Sequence, residues 1–196
     1  MAKLYFRYGV MGSSKSAQAL ITKFNYEEQG MRVWLMKPAA DTRYGADKVH
    51  SRIGLEQPAD VIDDDMDLYE VFRDREREFY DVIIVDEAQF LQPAHVEQLR
   101  EIVDYYTVPV FCFGLRTDFR TRLFPGSARL FELADSVTEL KTVCTCGGKA
   151  MVNARIDAEG RVVTEGEQFL LGGNESYRPM CYKCWKKAAL ESKSEK

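Results

Sequence analysis

Eight consecutive residues near the N-terminus, Gly9, Val10, Met11, Gly12, Ser13, Ser14, Lys15 and Ser16, combine backbone freedom, a cation and a hydroxyl at close spacing. They follow Leu4–Tyr8, a run with strand character, and open a helical stretch that Gly30 ends. Strand, glycine-containing loop, Lys-Ser and helix is the layout of a phosphate-binding loop. In such a loop the backbone N–H groups converge on anionic oxygens. Lys15 adds a cation for the outer phosphates, and the Ser16 hydroxyl is placed to ligate Mg²⁺. One position departs from G-x-x-x-x-G-K-[ST]: Ser14 stands where the second glycine belongs. Glycine serves there because the backbone comes close to phosphate or takes a left-handed angle. A solvated lysine in a Gly/Ser-rich loop is the competing reading of these residues taken alone.

A second pair strengthens the first reading. Val82–Val85 is apolar and β-branched throughout and ends in Asp86-Glu87. That pattern fits a strand buried on both faces of a parallel sheet. Asp86 has the place of a Walker B aspartate, which holds Mg²⁺ directly or through water. Glu87, one residue on, can accept a proton from water or from a substrate hydroxyl. An ATPase would use Glu87 on water and couple hydrolysis to a partner. A kinase would use it on an acceptor and needs a pocket for that acceptor.

Five cysteines form the third constellation. Cys112 sits within an apolar run and reads as core. The others pair closely, Cys144 with Cys146 and Cys181 with Cys184, a spacing that suits an S₄ zinc site. The 34 residues between Cys146 and Cys181 then form a loop closed at its base. Residues 152–156, a turn at 157–160 and residues 161–164 read as a hairpin, and 168–177 as its far, glycine-bearing portion. The net charge of −4 and pI near 5.4 give no general footing on nucleic acid. The zinc staple therefore reads as structural.

The remaining elements must bring these groups together. With 196 residues, 45% hydrophobic and 30% charged, the chain can build a core in one domain plus a small appendage. The first helix is expected to turn Leu20, Ile21 and Phe24 inward. A second strand is read over residues 31–36, closed by Pro38, and a polar loop over 41–45. Carboxylates at 63–65 precede apolar positions at Met66, Tyr69 and Phe72, which predicts a helix with an acidic start. Pro93 opens another, with Val96, Leu99, Ile102 and Val103 inward and His95 exposed. A buried strand is read over 108–113, a loop bearing Phe119 and Phe124 over 114–125, a short helix over 128–133 and a strand over 136–140. Strands alternating with helices imply an α/β fold with a parallel sheet covered on both faces. Ligands in such sheets bind beyond the strands' carboxyl ends, where both the phosphate loop and Asp86-Glu87 fall. Past residue 142 the pattern becomes short alternating runs with no long helix. The expected division is residues 1–142, a zinc-stapled unit at 143–190 and a charged tail at 191–196. No leader and no membrane-length apolar run are apparent, so a soluble cytoplasmic protein is expected, with no nucleic-acid or membrane partner.

Taken in order, the phosphate loop, Lys37-Pro38 with Asp41-Thr42-Arg43-Tyr44, Asp86-Glu87-Ala88-Gln89-Phe90 and the zinc-stapled Gly172-Gly173-Asn174-Glu175-Ser176-Tyr177 resemble the type II thymidine kinases. The resemblance runs from about Lys3 to Trp185. It implies a RecA-like P-loop domain plus a small zinc domain whose "lasso" covers the nucleoside. It implies ATP with Mg²⁺ held by the phosphate loop and Asp86, with Asp41, Arg43 and Gln89 on the nucleotide side, and Glu87 as general base. Phe119 and Phe124 would wall the base pocket near Met11. Gln168, Phe169, Leu170, Leu171 and Gly172 would bond the thymine edge through their backbone, with Tyr177 beside them. Cys144, Cys146, Cys181 and Cys184 would hold a structural Zn²⁺. Thymidine and deoxyuridine are the implied acceptors, thymidine triphosphate the feedback ligand, and a homotetramer the assembly. Ser14 and the C-x-C pair are departures from the family's commonest pattern. A zinc-stapled P-loop ATPase is the alternative.

Overall fold

The computed structural model describes residues 1–42, 45, 47–74, 80–169 and 176–194. Its centre is a six-stranded sheet built from β1 (Leu4–Tyr8), β2 (Val33–Pro38), β5 (Asp60–Ile62), β6 (Val82–Val85), β7 (Val110–Gly114) and β8 (Ser136–Glu139). The spatial order is β5-β2-β6-β7-β1-β8, and every pairing is parallel. Alternate residues of each strand serve opposite faces. Leu4 and Phe6, Trp34 and Met36, Ile83 and Val85, Val110 and Cys112 pack on one side. Leu35, Val82, Ile84, Phe111 and Phe113 pack on the other. The wholly apolar β6 is buried at all four positions, as a strand covered twice must be.

One face is covered by α2 (Leu68–Asp74), α3 (Pro93–Tyr106) and α4 (Pro125–Leu133), with Leu68, Phe72, Val96, Leu99, Ile102, Val103 and Leu130 in the core. Against the other lie α1 (Lys15–Glu27) and a hairpin of β3 (Lys48–His50) and β4 (Glu56–Pro58). The loops after β1 and β6 open at the same edge, with β7 between the two strands. The sheet thus delivers the phosphate loop and Asp86-Glu87 side by side.

A second sheet, β10-β9-β11, is antiparallel. It comprises β9 (Val152–Ile156), β10 (Val162–Val163) and β11 (Tyr177–Met180), followed by α5 (Tyr182–Ser194). The expected hairpin over 152–164 is present. Ala154, Val162 and Ala189 form its small core, with Trp185 and Met180 packed against it.

Four expectations need correction. Ile21 and Phe24 are 48% and 57% exposed; α1 approaches the sheet through Ala17, Ala19 and Leu20, while Tyr26 covers Phe111 at its far end. His95 is buried, because its Nδ1 accepts from the Gln92 N–H in a capping box, and burial lowers its pKa. A helix does follow the last cysteine pair, since Ala188 and Ala189 let α5 lie on the small sheet. That helix runs through Ser194, into the stretch read as a tail from Glu191. Among the described residues no helix is long and apolar enough to cross a membrane.

Candidate active site

The phosphate loop leaves β1 with Gly12 at φ +78° and Ser14 at φ +60°. The backbone takes the left-handed angle at Ser14 without a glycine, and Ser14 is the N-cap of α1. Relief of about 1–2 kcal/mol of left-handed strain would be offset by roughly 0.5–1 kcal/mol of added chain entropy in a glycine variant. Ser14→Gly is therefore expected to leave the Tm unchanged or to raise it by a few degrees and not to raise the KM for ATP. A large loss of ATP affinity, read by titration, would show that the loop depends on the serine side chain.

Lys15 is 8% exposed and donates to the Val10 carbonyl at 2.9 Å and to Ser13 Oγ at 3.4 Å. Val10 itself turns away from the site and packs on Cys144 and Ala150, so it fastens the loop to the cysteine cluster. Met11, Gly12, Ser14, Lys15 and Ser16 line a cavity of about 350 Å³, a size within the usual range of ligand pockets. Gly9, Val10 and Ser13 stand outside its lining.

Asp86 ends β6 at 3% exposure. Its pKa is raised to about 7, first by burial and then by the charge of Glu87, against a hydrogen bond from Ser16. Its Oδ1 is buried and has no hydrogen-bond partner among the described residues. A desolvated carboxylate oxygen of this kind, beside a serine hydroxyl, suits a hard divalent cation. Glu87 follows at φ +51°, ψ +35°, a left-handed angle rare for a non-glycine residue and found at functional sites. Gln89 fixes the carboxylate. Its Nε2 donates to Glu87 Oε2 at 2.5 Å, while its Oε1 accepts from the Leu115 N–H at 2.9 Å. A Cβ on Gly114 would come within 2.9 Å of that Oε1, which is why β7 ends in glycine. Gln89 lines the cavity, but its described bonds go to Glu87 and to β7.

Asp41 is buried and pairs with the buried Lys37 at 3.0 Å. Lys37 also donates to the Gly45 and Lys48 carbonyls, each at 3.2 Å, and so ties down the loop beyond β2. Arg43 lies outside the described residues, as do Leu170, Leu171 and Gly172.

The far end of the cavity is aromatic. Asp118 builds the loop that carries it, accepting from the backbone N–H groups of Arg120 and Arg122 at 2.8 and 2.9 Å. Phe119 and Phe124 line the cavity with Phe90, Phe169 and Tyr177. Phe90 stands edge-on to both Phe124 and Phe169, with centroids at 5.7 and 4.5 Å. Gln168 also lines it. Phe90, which the sequence shows only as the last residue of the Asp86-to-Phe90 motif, and Arg52, Asn153 and Arg155, which no motif marks, also belong to the site or its support. Arg52 lines the cavity from the β3–β4 hairpin, with Nη1 4.0 Å from where a Cβ on Gly12 would stand. Asn153 accepts from the Met11 N–H at 2.7 Å and donates to the Thr117 carbonyl at 3.1 Å. The signal for Asn153 and Arg155 is their alternation with Val152, Ala154 and Ile156 in β9, where both polar side chains are nonetheless buried.

The sulfur atoms of Cys144, Cys146, Cys181 and Cys184 all lie within 4.8 Å of one another. The first pair sits in a turn in which the Cys144 N–H donates to the Gly148 carbonyl at 2.7 Å. The second opens α5, where the Cys184 N–H donates to Cys181 Sγ at 3.4 Å. Cys146 and Cys181 sulfurs are 3.7 Å apart. Zn–S bonds of about 2.3 Å in a tetrahedron place sulfurs roughly 3.8 Å apart, so the set fits zinc. Backbone N–H groups of Cys146 and Cys181 lower the Cys144 pKa to about 6. Hydrogen bonding with Cys181 and Cys146 pushes Cys184 up to about 12. A dication bound between four sulfurs so close together would favour the thiolate form of each.

A parallel sheet with a phosphate loop at one strand end, an Asp-Glu pair at another and a cavity running from them to an aromatic wall defines a P-loop nucleotide-binding enzyme. The thymidine kinase family model matches residues 2–185, and the chain belongs to that family, whose members are phosphotransferases. The thymidine kinase of Legionella pneumophila is 46% identical over 193 residues, spanning 97% of this chain and 92% of that one. That of Salmonella paratyphi A is 46% identical over 192 residues, with 97% and 94% covered. That of Ruegeria pomeroyi is 47% identical over 189 residues, with 96% of each chain covered. Among solved structures the Legionella pneumophila ATPase DotB aligns with a TM-score of 0.40 and 15% identity, over 76% of this chain and 43% of that one. So distant a likeness adds nothing to the fold described above.

Proposed function

We propose that the protein transfers the γ-phosphoryl group of ATP to the 5′-hydroxyl of thymidine, giving thymidine monophosphate and ADP. The observation that carries this reading is the single cavity that joins Lys15, Ser16, Asp86 and Glu87 to the aromatic wall of Phe90, Phe119, Phe124, Phe169 and Tyr177. A P-loop ATPase needs only the first end; a nucleoside kinase needs both. Lys15 and the loop N–H groups hold the phosphates. Ser16 and Asp86 are the residues that would hold Mg²⁺, which neutralises charge on the transferring phosphoryl group. Glu87 accepts the proton of the attacking hydroxyl. The aromatic rings stack on a flat base, and the segment that begins at Gln168 and Phe169, both in the cavity lining, lies at its polar edge. The cysteine cluster holds Zn²⁺ and closes the base of this segment.

Deoxyuridine, which differs from thymidine by one methyl group, belongs on the same wall. Feedback inhibition by thymidine triphosphate accords with a cavity that takes phosphates at one end and a base at the other. Assembly as a homotetramer is supported by the resemblance and by the exposed Ile21 and Phe24 of α1. A cytoplasmic location suits five cysteines without a disulfide.

The deciding experiment is ADP release measured with ATP alone and then with each deoxynucleoside. Release is expected to depend on thymidine, with deoxyuridine as the second acceptor. Equal turnover with no acceptor would replace this reading with an ATPase.

A further inference from the structure

Arg155 lies behind the aromatic wall, at 4% exposure, and is absent from the cavity lining. Its guanidinium carbon sits 3.8 Å from the centroid of the Phe119 ring. Its Nη1 donates to the Glu167 carbonyl at 2.9 Å, and its Nη2 to the Gln168 carbonyl at 3.5 Å. Its Nε and Nη2 both donate to the Tyr177 hydroxyl, at 3.1 and 2.8 Å. No carboxylate pairs with it among the described residues. A guanidinium stays charged in a protein and presents a rigid fork of donors. Buried here, it is satisfied by two carbonyls, one phenol oxygen and a ring face. Those partners come from both ends of one segment, Glu167 and Gln168 entering it and Tyr177 leaving it, together with the ring that walls the pocket.

We propose that Arg155 is a positioning residue for the nucleoside: one buried side chain pins both ends of the 168–177 segment and sets Phe119 against the cavity. The proposal rests on the reading of the aromatic end as the nucleoside pocket. Its partners set a boundary on the effect. Asn153, two residues earlier on the same face of β9, makes the contacts to Met11 and Thr117. Among the described residues Arg155 contacts Glu167, Gln168, Tyr177 and Phe119, so its loss is expected to act on the nucleoside and not on ATP.

The test uses the zinc-loaded full chain, three single variants and the Arg155→Met/Tyr177→Phe double variant, with steady-state kinetics, calorimetric thymidine binding, zinc content and Tm. Arg155→Met keeps much of the side-chain bulk and removes the donors. It is expected to raise the thymidine KM and Kd by about tenfold or more, the scale of losing hydrogen bonds from a charged donor, with the ATP KM within about twofold. Arg155→Lys, which keeps the charge but not the fork, is expected to recover part of that loss. Tyr177→Phe removes one acceptor, and its effect is expected to be less than additive with Arg155→Met. An unchanged thymidine KM in Arg155→Met, or equal losses for thymidine and ATP, would overturn the proposal. If Arg155→Met loses zinc or fails to fold, Tyr177→Phe decides, and an unchanged thymidine KM there overturns it. Failure of the wild-type enzyme to phosphorylate any deoxynucleoside would instead overturn the functional reading, a separate and visible result.

Discussion

Glu87→Gln is expected to lower kcat by about 10²- to 10⁴-fold, the range a positioned general base contributes, with the thymidine KM little changed. The geometry isolates this residue from its neighbour. Asp86 is buried, with one oxygen lacking a hydrogen-bond partner among the described residues, whereas Glu87 is only partly buried and its backbone takes a left-handed turn. The two carboxylates have different partners, a Ser16 hydrogen bond for Asp86 and Gln89 Nε2 for Glu87. Gln89 holds Oε2 of Glu87 through a hydrogen bond, which fixes the orientation of the carboxylate. Glutamine keeps the size and can still accept from Gln89 through its carbonyl oxygen, but it cannot take a proton. An interaction needed mainly in the transition state appears in kcat and not in KM. Asp86→Asn is expected to differ, with a defect that varies with Mg²⁺ concentration. Near-normal kcat for Glu87→Gln, in an assay where chemistry limits turnover, would remove Glu87 as the base. Rescue of its defect by added Mg²⁺ would show that the two carboxylates exchange roles.

The parts of this molecule that were legible in its sequence are those with a strong period or a fixed motif. β6 could be read from four β-branched or apolar residues, and α3 from Pro93 and the spacing of its apolar positions. The hairpin at 152–164 announced itself through its Asp-Ala-Glu-Gly turn. β3, β4 and β5 carry three residues each and mostly polar ones, too few to show a period of two. They form because the hairpin docks Val49 into the α1 face of the core and β5 pairs with β2, which are tertiary causes. The same holds for His95, Ile21 and Phe24. Their burial depends on which neighbour reaches them, not on helical phase. In the site, the phosphate loop, Asp86-Glu87 and the cysteines were visible because their chemistry is local in sequence. Arg155 and Asn153 were not, since their partners, Glu167, Gln168 and Tyr177 for the one and Met11 and Thr117 for the other, lie far off in sequence, and Lys37 showed only as part of a motif, without its partners.

Removing the metal from the four-cysteine cluster, or replacing Cys184 with serine, is expected to cost thymidine binding far more than ATP binding. The native protein should carry about one zinc per chain, the usual S₄ stoichiometry. The cluster ties three places together. Cys144 and Cys146 precede β9, Cys181 follows β11 directly, and Cys184 lies in the first turn of α5. β9 and β11 pair over Val152–Met180 to Arg155–Tyr177, so closing that base holds the two strands that frame the 168–177 segment. The cores beyond it are small, with three buried residues in each cluster. An appendage of that size relies on its metal, and structural zinc contributes apparent folding energies of about 10–16 kcal/mol in small zinc modules. The phosphate loop has independent support from β1, which pairs on both sides with β7 and β8. Its ties to the smaller unit are the packing of Val10 on Cys144 and Ala150 and the bond from the Met11 N–H to Asn153 Oδ1. Chelation followed by separate thymidine and ATP titrations reads the difference. Thymidine affinity is expected to fall by more than about tenfold, as outer structural support for a site commonly contributes, with a modest change for ATP. Metal-free protein that binds and phosphorylates thymidine normally would show that the cysteines do not support the pocket.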